Sequence, residues 1–259
     1  MISFLNNLKI LLRPQSWLTG LISNLFFILI YLIFIQNSKE LVILVLVYIA
    51  YQTLIFVYSY LLNTITDEKI DKIVNKEVGL GKFPKWFIYS LLIISGLGSF
   101  GITVLFNLAV IGLLELGLAT FYSIKPTRLK ERGFLGIITA TVGSVTLPFV
   151  FFISIVGENQ LMAVYFTIII FFMQMIREVL HQIQDYPNDL KTNTKTWAVE
   201  VGNKIAKGFL RLIVAVFLLS LIGSFAFGFF QGLFISVLGV LWTINLLFHS
   251  MEVSLKTDA

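Results

Sequence analysis

The chain has 259 residues, of which 58% are hydrophobic, 15% aromatic and only 13% charged. A soluble domain carries about 25% charged residues, so half of the usual solvating surface is missing and bilayer must take the place of water. There is no cysteine, which excludes disulfides, thiolate metal sites and a cysteine nucleophile, and the net charge of +5 has meaning through its placement against a membrane, not as a sign of nucleic acid.

No composition shift or long polar linker divides residues 1–259, which read as one domain. A helix needs about 20 apolar residues to cross the hydrocarbon core. Such windows fall near 17–36, 41–62, 86–106, 108–124, 134–156, 161–182, 209–228 and 231–250. They predict an all-α, polytopic bundle of about eight transmembrane helices; no segment alternates as barrel strands do. The first apolar stretch lacks a small-residue cleavage site and is expected to stay as a span. Of the 19 Lys and Arg residues, all but Lys39 fall within or border the termini and connections 2–3, 4–5 and 6–7. The positive-inside rule places both termini and those connections in the cytoplasm, predicting an integral protein of the cell (inner) membrane.

In chain order, Arg13 precedes the first span. The second span ends in "NTITDEKID", where Asn63, Asp67 and Asp71 step by four, followed by Asn75. If the helix continues, each step advances only about 40° beyond a full turn, so these groups share a face. Alone, this is also the pattern of a solvated helix end. Glu115 lies in the fourth span, two turns before Tyr122 on the same face; an intramembrane acid is a functional hypothesis by default, here contact with an acceptor, or else a structural hydrogen bond. "YSIKPTRLKERG" then sets Lys125, Arg128, Lys130 and Arg132 in connection 4–5, where Arg offers forked bonds to phosphate and Lys a mobile charge. At the end of the sixth span, Arg177, His181, Asp185 and Asp189 again step by four, with Glu178 beside them. Two carboxylate pairs on separate helices, opening on one side, suit a hard cation with oxygen ligands. Mg²⁺ keeps its remaining positions for water and phosphate, and so implies a diphosphate ligand. Phe56, Tyr58, Tyr60 and Phe121 could offer π-faces to a cation, or simply pack.

Asn63-x-x-x-Asp67-x-x-x-Asp71, with Lys72 and Asn75-Lys76, resembles the first aspartate-rich motif of the UbiA superfamily of intramembrane prenyltransferases. Arg177-Glu178, Asp185-x-x-x-Asp189 and Thr196 resemble its second motif. Tyr122-Ser123 with Pro126, Arg128 and Lys130 is similar to the loop between them, and Arg13-Pro14 to the family's entry to its first span. The resemblance implies a helical bundle with a lipid-accessible cavity under a cytoplasmic cap. It also implies Mg²⁺-dependent transfer of an isoprenoid chain from a polyprenyl diphosphate to a lipophilic, often aromatic, acceptor. Asn63, Asp67 and Asp71 would hold one magnesium–diphosphate unit, and Asp185 and Asp189 the other. Arg13, Glu115, Tyr122, Lys125, Arg128, Lys130, Arg177, Glu178 and His181 are the candidate substrate-binding residues. The chain departs from many relatives at Glu77–Lys82, at His181 and in its eight spans against a usual nine. A membrane terpene cyclase on the same scaffold is the alternative enzyme, and a secondary transporter, which would place polar sites at the midplane, the alternative of another class.

The charge asymmetry yields a direct expectation for topology. In a Ser38→Cys variant, a membrane-impermeant maleimide should label the thiol from the non-cytoplasmic side; labelling only from the cytoplasmic side would invert the orientation.

Overall fold

The computed structural model describes residues 2–35, 41–74, 79–157 and 160–226. These form helices α1 (Ile2–Leu12), α2 (Pro14–Ile35), α3 (Leu41–Ile73), α4 (Lys85–Leu105), α5 (Ala109–Ser123), α6 (Phe134–Thr141), α7 (Leu147–Val156), α8 (Gln160–Thr192), α9 (Trp197–Val201) and α10 (Asn203–Ala226). A π turn over Val142–Thr146 joins α6 to α7, so that residues 134–156 run as one span. The first seven expected spans thus coincide with α2, α3, α4, α5, α6–α7, α8 and α10. The eighth, at 231–250, lies outside the described residues, as do the turn containing Lys39, residues 75–78 with Asn75 and Lys76, and Glu158.

Helix length decides where the polar groups can go. α3 and α8 have 33 residues each, which at the helical rise is about 50 Å against about 30 Å of hydrocarbon. Both therefore run on for several turns past the membrane instead of stopping near 62 and 182. Those extra turns carry the two acidic stripes. α3 passes the polar run after Leu62 unbroken, and α8 continues through Pro187, whose ring ordinarily ends a helix interior.

The apolar core occupies the opposite half of the bundle. Tyr31 at the end of α2, Tyr48 and Tyr51 at the start of α3, Phe149, Phe151 and Phe152 on α7, and Phe166 early in α8 are fully buried. Their rings interlock, with Tyr48–Phe152 centroids 5.5 Å and Tyr31–Phe166 centroids 5.7 Å apart. Leu105, Val110, Leu161 and Leu219 face outward, as expected where lipid is the solvent. At the polar end α1, which apolar windows of membrane length pass over, is pinned by Leu11 against Leu61 and Ile88 and by Phe4 against Phe83, with ring centroids 5.6 Å apart.

The α4–α5 hairpin closes on Gly112. A Cβ there would sit 2.2 Å from Thr103 Oγ1, too close for any side chain. Gly112→Val should therefore lower stability by about 1–3 kcal/mol, seen as a reduced thermal midpoint in detergent. Gly101→Val, where nothing lies within 4 Å of the added carbon, should leave the midpoint near wild type.

Candidate active site

Asp67 is the centre of the site. It is buried on the polar C-terminal extension of α3. Arg128 Nη2 donates to its Oδ1 at 2.8 Å, and Lys130 Nζ donates to its Oδ2. The same ammonium donates to Asn63 Oδ1 at 2.8 Å, so the first and second members of the stripe share one cation. One turn on, Asp71 is buried with Arg13 Nη1 at 3.7 Å. The i, i+4 spacing thus does place the three groups on one face, and that face turns toward positive charge.

The cations are held in position by their backbones. Among the described residues only four non-glycine residues have positive φ: Asn107, Asn193, Arg13 at 49° and Arg128 at 35°. Asparagine adopts this region readily; arginine does so at a cost of about 1–2 kcal/mol. Strain of this kind persists where surrounding contacts over-determine it, and such residues cluster at functional sites. Arg13 forms the break between α1 and α2, which Trp17 braces by donating from Nε1 to Leu12 O at 2.9 Å. Arg128 begins the 3₁₀ turn Leu129–Glu131 and pairs with Glu131 through its Nε. Lys130 is itself buried. Burial pulls its ammonium below the usual lysine range, and the charge of Asp67 opposes that shift.

The second stripe is more open. His181 Nδ1 lies 3.2 Å from Asp185 Oδ2, with both side chains well exposed. Asp189 accepts a hydrogen bond from Thr196 Oγ1 at 2.9 Å. The two stripes meet across the loop between α5 and α6: Lys130 lies within electrostatic range of Asp189 as well as Asp67. Tyr122 feels the charge of Asp67, Asp189 and Glu178 together. Beneath them, Tyr60 lies within range of Arg13, Arg177 and Glu178, and Arg177 Nη1 packs beside Gly20, 3.2 Å from where a Cβ would be.

Not every candidate joins this group. Lys125 is exposed. His181 is exposed beside Asp185 and lies within electrostatic range of Glu178 and Asp189. Glu115 stands apart: buried on α5, it accepts a hydrogen bond from the Tyr51 hydroxyl of α3. Tyr51 is twelve residues before Asn63, about 18 Å deeper along the helix. Sequence inspection passes over Glu131, Gly20 and Gly133. Only Gly133, closing a basic loop, carries a recognisable signal, that of a turn residue.

Among the described residues no three carboxylate or imidazole groups converge to enclose a metal. Mg²⁺ does not require that, since it takes one or two carboxylates and completes its octahedron with water and phosphate oxygens. The donor set, two aspartate pairs with an amide oxygen and no thiolate, fits such an ion.

Comparison with known proteins gives the family and the fold. The model of the UbiA prenyltransferase family matches residues 12–259. A digeranylgeranylglyceryl phosphate synthase from Sulfurisphaera tokodaii is 28% identical over 209 residues, 78% of this chain and 74% of that protein. Its counterpart from Saccharolobus solfataricus is 29% identical over 168 residues, 61% of this chain and 58% of that protein. The fold matches a UbiA homolog from Archaeoglobus fulgidus bound to DMAPP and Mg²⁺, with TM-score 0.72, 18% identity and coverage of 94% of this chain and 85% of that one. The same homolog bound to GPP and Mg²⁺ gives TM-score 0.70 at 18% identity, covering 95% and 86%.

The ion cluster has a measurable signature. Asp67→Asn takes the paired carboxylate from buried Lys130 and leaves Arg128 with Glu131 alone, so the protein should lose about 3–5 kcal/mol of stability. Adding Lys130→Met should recover part of that loss, because one stranded charge is removed; thermal unfolding of the single and double variants in detergent reports both.

Proposed function

The chain belongs to the UbiA prenyltransferase family and is a prenyltransferase, and on that premise we propose that it moves an isoprenoid chain from its diphosphate to a hydroxyl group of a lipid acceptor. The observation that carries the reading is the contact of Asp67 with both Arg128 and Lys130. Oxygen ligands for a cation and cationic donors for a phosphate face one another across a single small volume. Asn63, Asp67, Asp71, Asp185 and Asp189 are the residues that would hold Mg²⁺, an ion present with prenyl diphosphates in the Archaeoglobus fulgidus homolog. Once bound, Mg²⁺ supplies charge neutralisation of a departing diphosphate.

The chain's own residues account for the remaining requirements. In the transfer, the bond from the first allylic carbon to oxygen breaks and its electron pair leaves with the diphosphate. Arg128, Lys130 and Arg13 are placed to stabilise that growing charge, and they are already oriented before it develops. An allylic cation reacts with any nucleophile, water included. The interlocked aromatic core in the outer half of the bundle excludes water from beneath the site. Tyr60 and Phe56 lie at the depth where π-faces could meet the cation. The acceptor oxygen then forms the new carbon–oxygen bond, and its proton passes to the departing diphosphate, the nearest strong base.

The acceptor is where sequence and relatives diverge. Sequence resemblance suggests an aromatic ring. The relatives from Sulfurisphaera and Saccharolobus are named for digeranylgeranylglyceryl phosphate, a glyceryl phosphate bearing two isoprenoid chains, which favours an oxygen nucleophile. The transporter alternative falls with family membership. The cyclase alternative requires a cation trapped within its own chain, and is separated by product.

The test is product formation from labelled geranylgeranyl diphosphate with Mg²⁺ and either geranylgeranylglyceryl phosphate or a hydroxybenzoate. We expect transfer to the glyceryl phosphate, and a fall in diphosphate release of about 10²–10³-fold or more in Asp67→Asn and Asp185→Asn. A prenylated ring would reassign the acceptor, and unchanged release in both variants would reduce the stripes to solvated helix ends.

A further inference from the structure

The two acidic stripes sit on helices that belong to different parts of the chain, and something must set their separation. The loops above them meet at one point. Gly133, closing the loop that carries Arg128 and Lys130, forms a parallel backbone bridge with Thr196, at the start of α9. Thr196 is also the residue whose hydroxyl donates to Asp189 at 2.9 Å. A short path therefore links the two stripes: Asp67 to Lys130, along three residues to Gly133, across to Thr196, and on to Asp189.

The neighbouring residues lock this joint. Phe134 and Trp197, the next residue on each side, have ring centroids 6.0 Å apart. Phe209 of α10 closes a triangle with them, at 5.7 Å from Phe134 and 5.0 Å from Trp197. The amide of Ala198 donates to Gln182 Oε1 of α8 at 3.3 Å, tying α9 to the helix that bears the second stripe. On the other side Gly136 lets α6 lie against the 3₁₀ turn, since a Cβ there would stand 2.9 Å from the Leu129 carbonyl. Gly133 itself has φ 55° and ψ −132°, a backbone region that glycine alone enters freely. A Cβ at Gly133 would meet Glu200 Oε2 at 2.3 Å.

We infer that Gly133 and Thr196 are positioning residues: their backbone bridge fastens the loop bearing Arg128 and Lys130 to the loop that orients Asp189, and so sets the spacing at which two metal ions and one diphosphate are held together. The inference rests on the metal–diphosphate reading of the site. Neither residue touches substrate; each acts through a residue that does. Groups that orient metal ligands typically change metal affinity by about 10–100-fold when removed.

Binding, read without turnover, tests this. Mn²⁺ is titrated into the detergent-solubilised full chain with methylenediphosphonate, a non-transferable diphosphate, and bound metal is followed by electron paramagnetic resonance. Gly133→Ala should raise the half-saturating Mn²⁺ concentration about tenfold or more. The control is Gly157→Ala, at φ 71° with open space around it and at the far end of α7. It too places alanine at positive φ, in the left-handed region and so at a smaller backbone cost than at Gly133, and should bind Mn²⁺ as wild type does. Thr196→Val, which keeps the shape and loses the hydroxyl, should weaken binding likewise, and Thr196→Ser should restore it. If Gly133→Ala does not fold, the Thr196 pair decides. Equal binding by the Gly133 and Gly157 variants, or wild-type binding by Thr196→Val, overturns the joint while leaving the metal reading intact. Failure of the wild type to bind Mn²⁺ with the diphosphonate removes both.

Discussion

A carboxylate kept ionised nearly out of water must have positive charge against it, because the cost of stranding a buried ion is several kcal/mol. Asp67 is such a group, and the polar end of the protein is arranged around that demand. Arg128 and Lys130 meet it from a loop more than sixty residues away in sequence. To reach it the loop accepts a left-handed arginine, and α3 extends well past the bilayer so that the carboxylate need not lie in hydrocarbon. The same pairing leaves the site balanced before any ligand arrives. On the proposed reading, a metal–diphosphate unit would bring cation for carboxylate and anion for guanidinium at once, so both could exchange partners without exposing an unpaired charge.

The two halves of the bundle divide the work by polarity. At one end lie the ionised groups of the two stripes and their cations; at the other lie packed rings. The boundary falls near Tyr60 and Arg177, where Arg177 threads beside Gly20 and Phe56. Chemistry that generates a carbocation needs both environments within a few ångströms of each other.

The stripes and the spans were legible because both are local periodicities: Asn63, Asp67 and Asp71 need only a continuing helix to align. The all-helical class and seven of the expected spans follow from apolar runs that nothing else could accommodate. Pairings across the bundle were not legible. That Lys130 bridges Asn63 and Asp67, or that Gly133 meets Thr196, depends on how distant loops dock, and one chain's composition carries no record of it. The exposure of His181 was not legible either: its four-residue step from Arg177 and Asp185 puts it on the stripe, but position on a helical stripe does not say how far that part of it leans into solvent. α1 escaped notice because its eleven residues are too few for a span and its partners, Leu61 and Ile88, lie on other helices.

The buried pair of Tyr51 and Glu115 bears on how the chain assembles. Tyr58 and Thr120 bond at 2.8 Å further along the same two helices, so α3 and α5 run parallel, with α4 returning between them. Sliding α5 by one turn against α3 would carry the acid away from its hydroxyl and into surroundings with nothing to bond. Apolar helices in lipid have little else to fix their vertical alignment, since one greasy face slips past another at small cost. The pair works as a register pin for the emerging bundle. It sets the height of α5, hence the height of the loop that follows, and hence the level at which Lys130 arrives opposite Asp67.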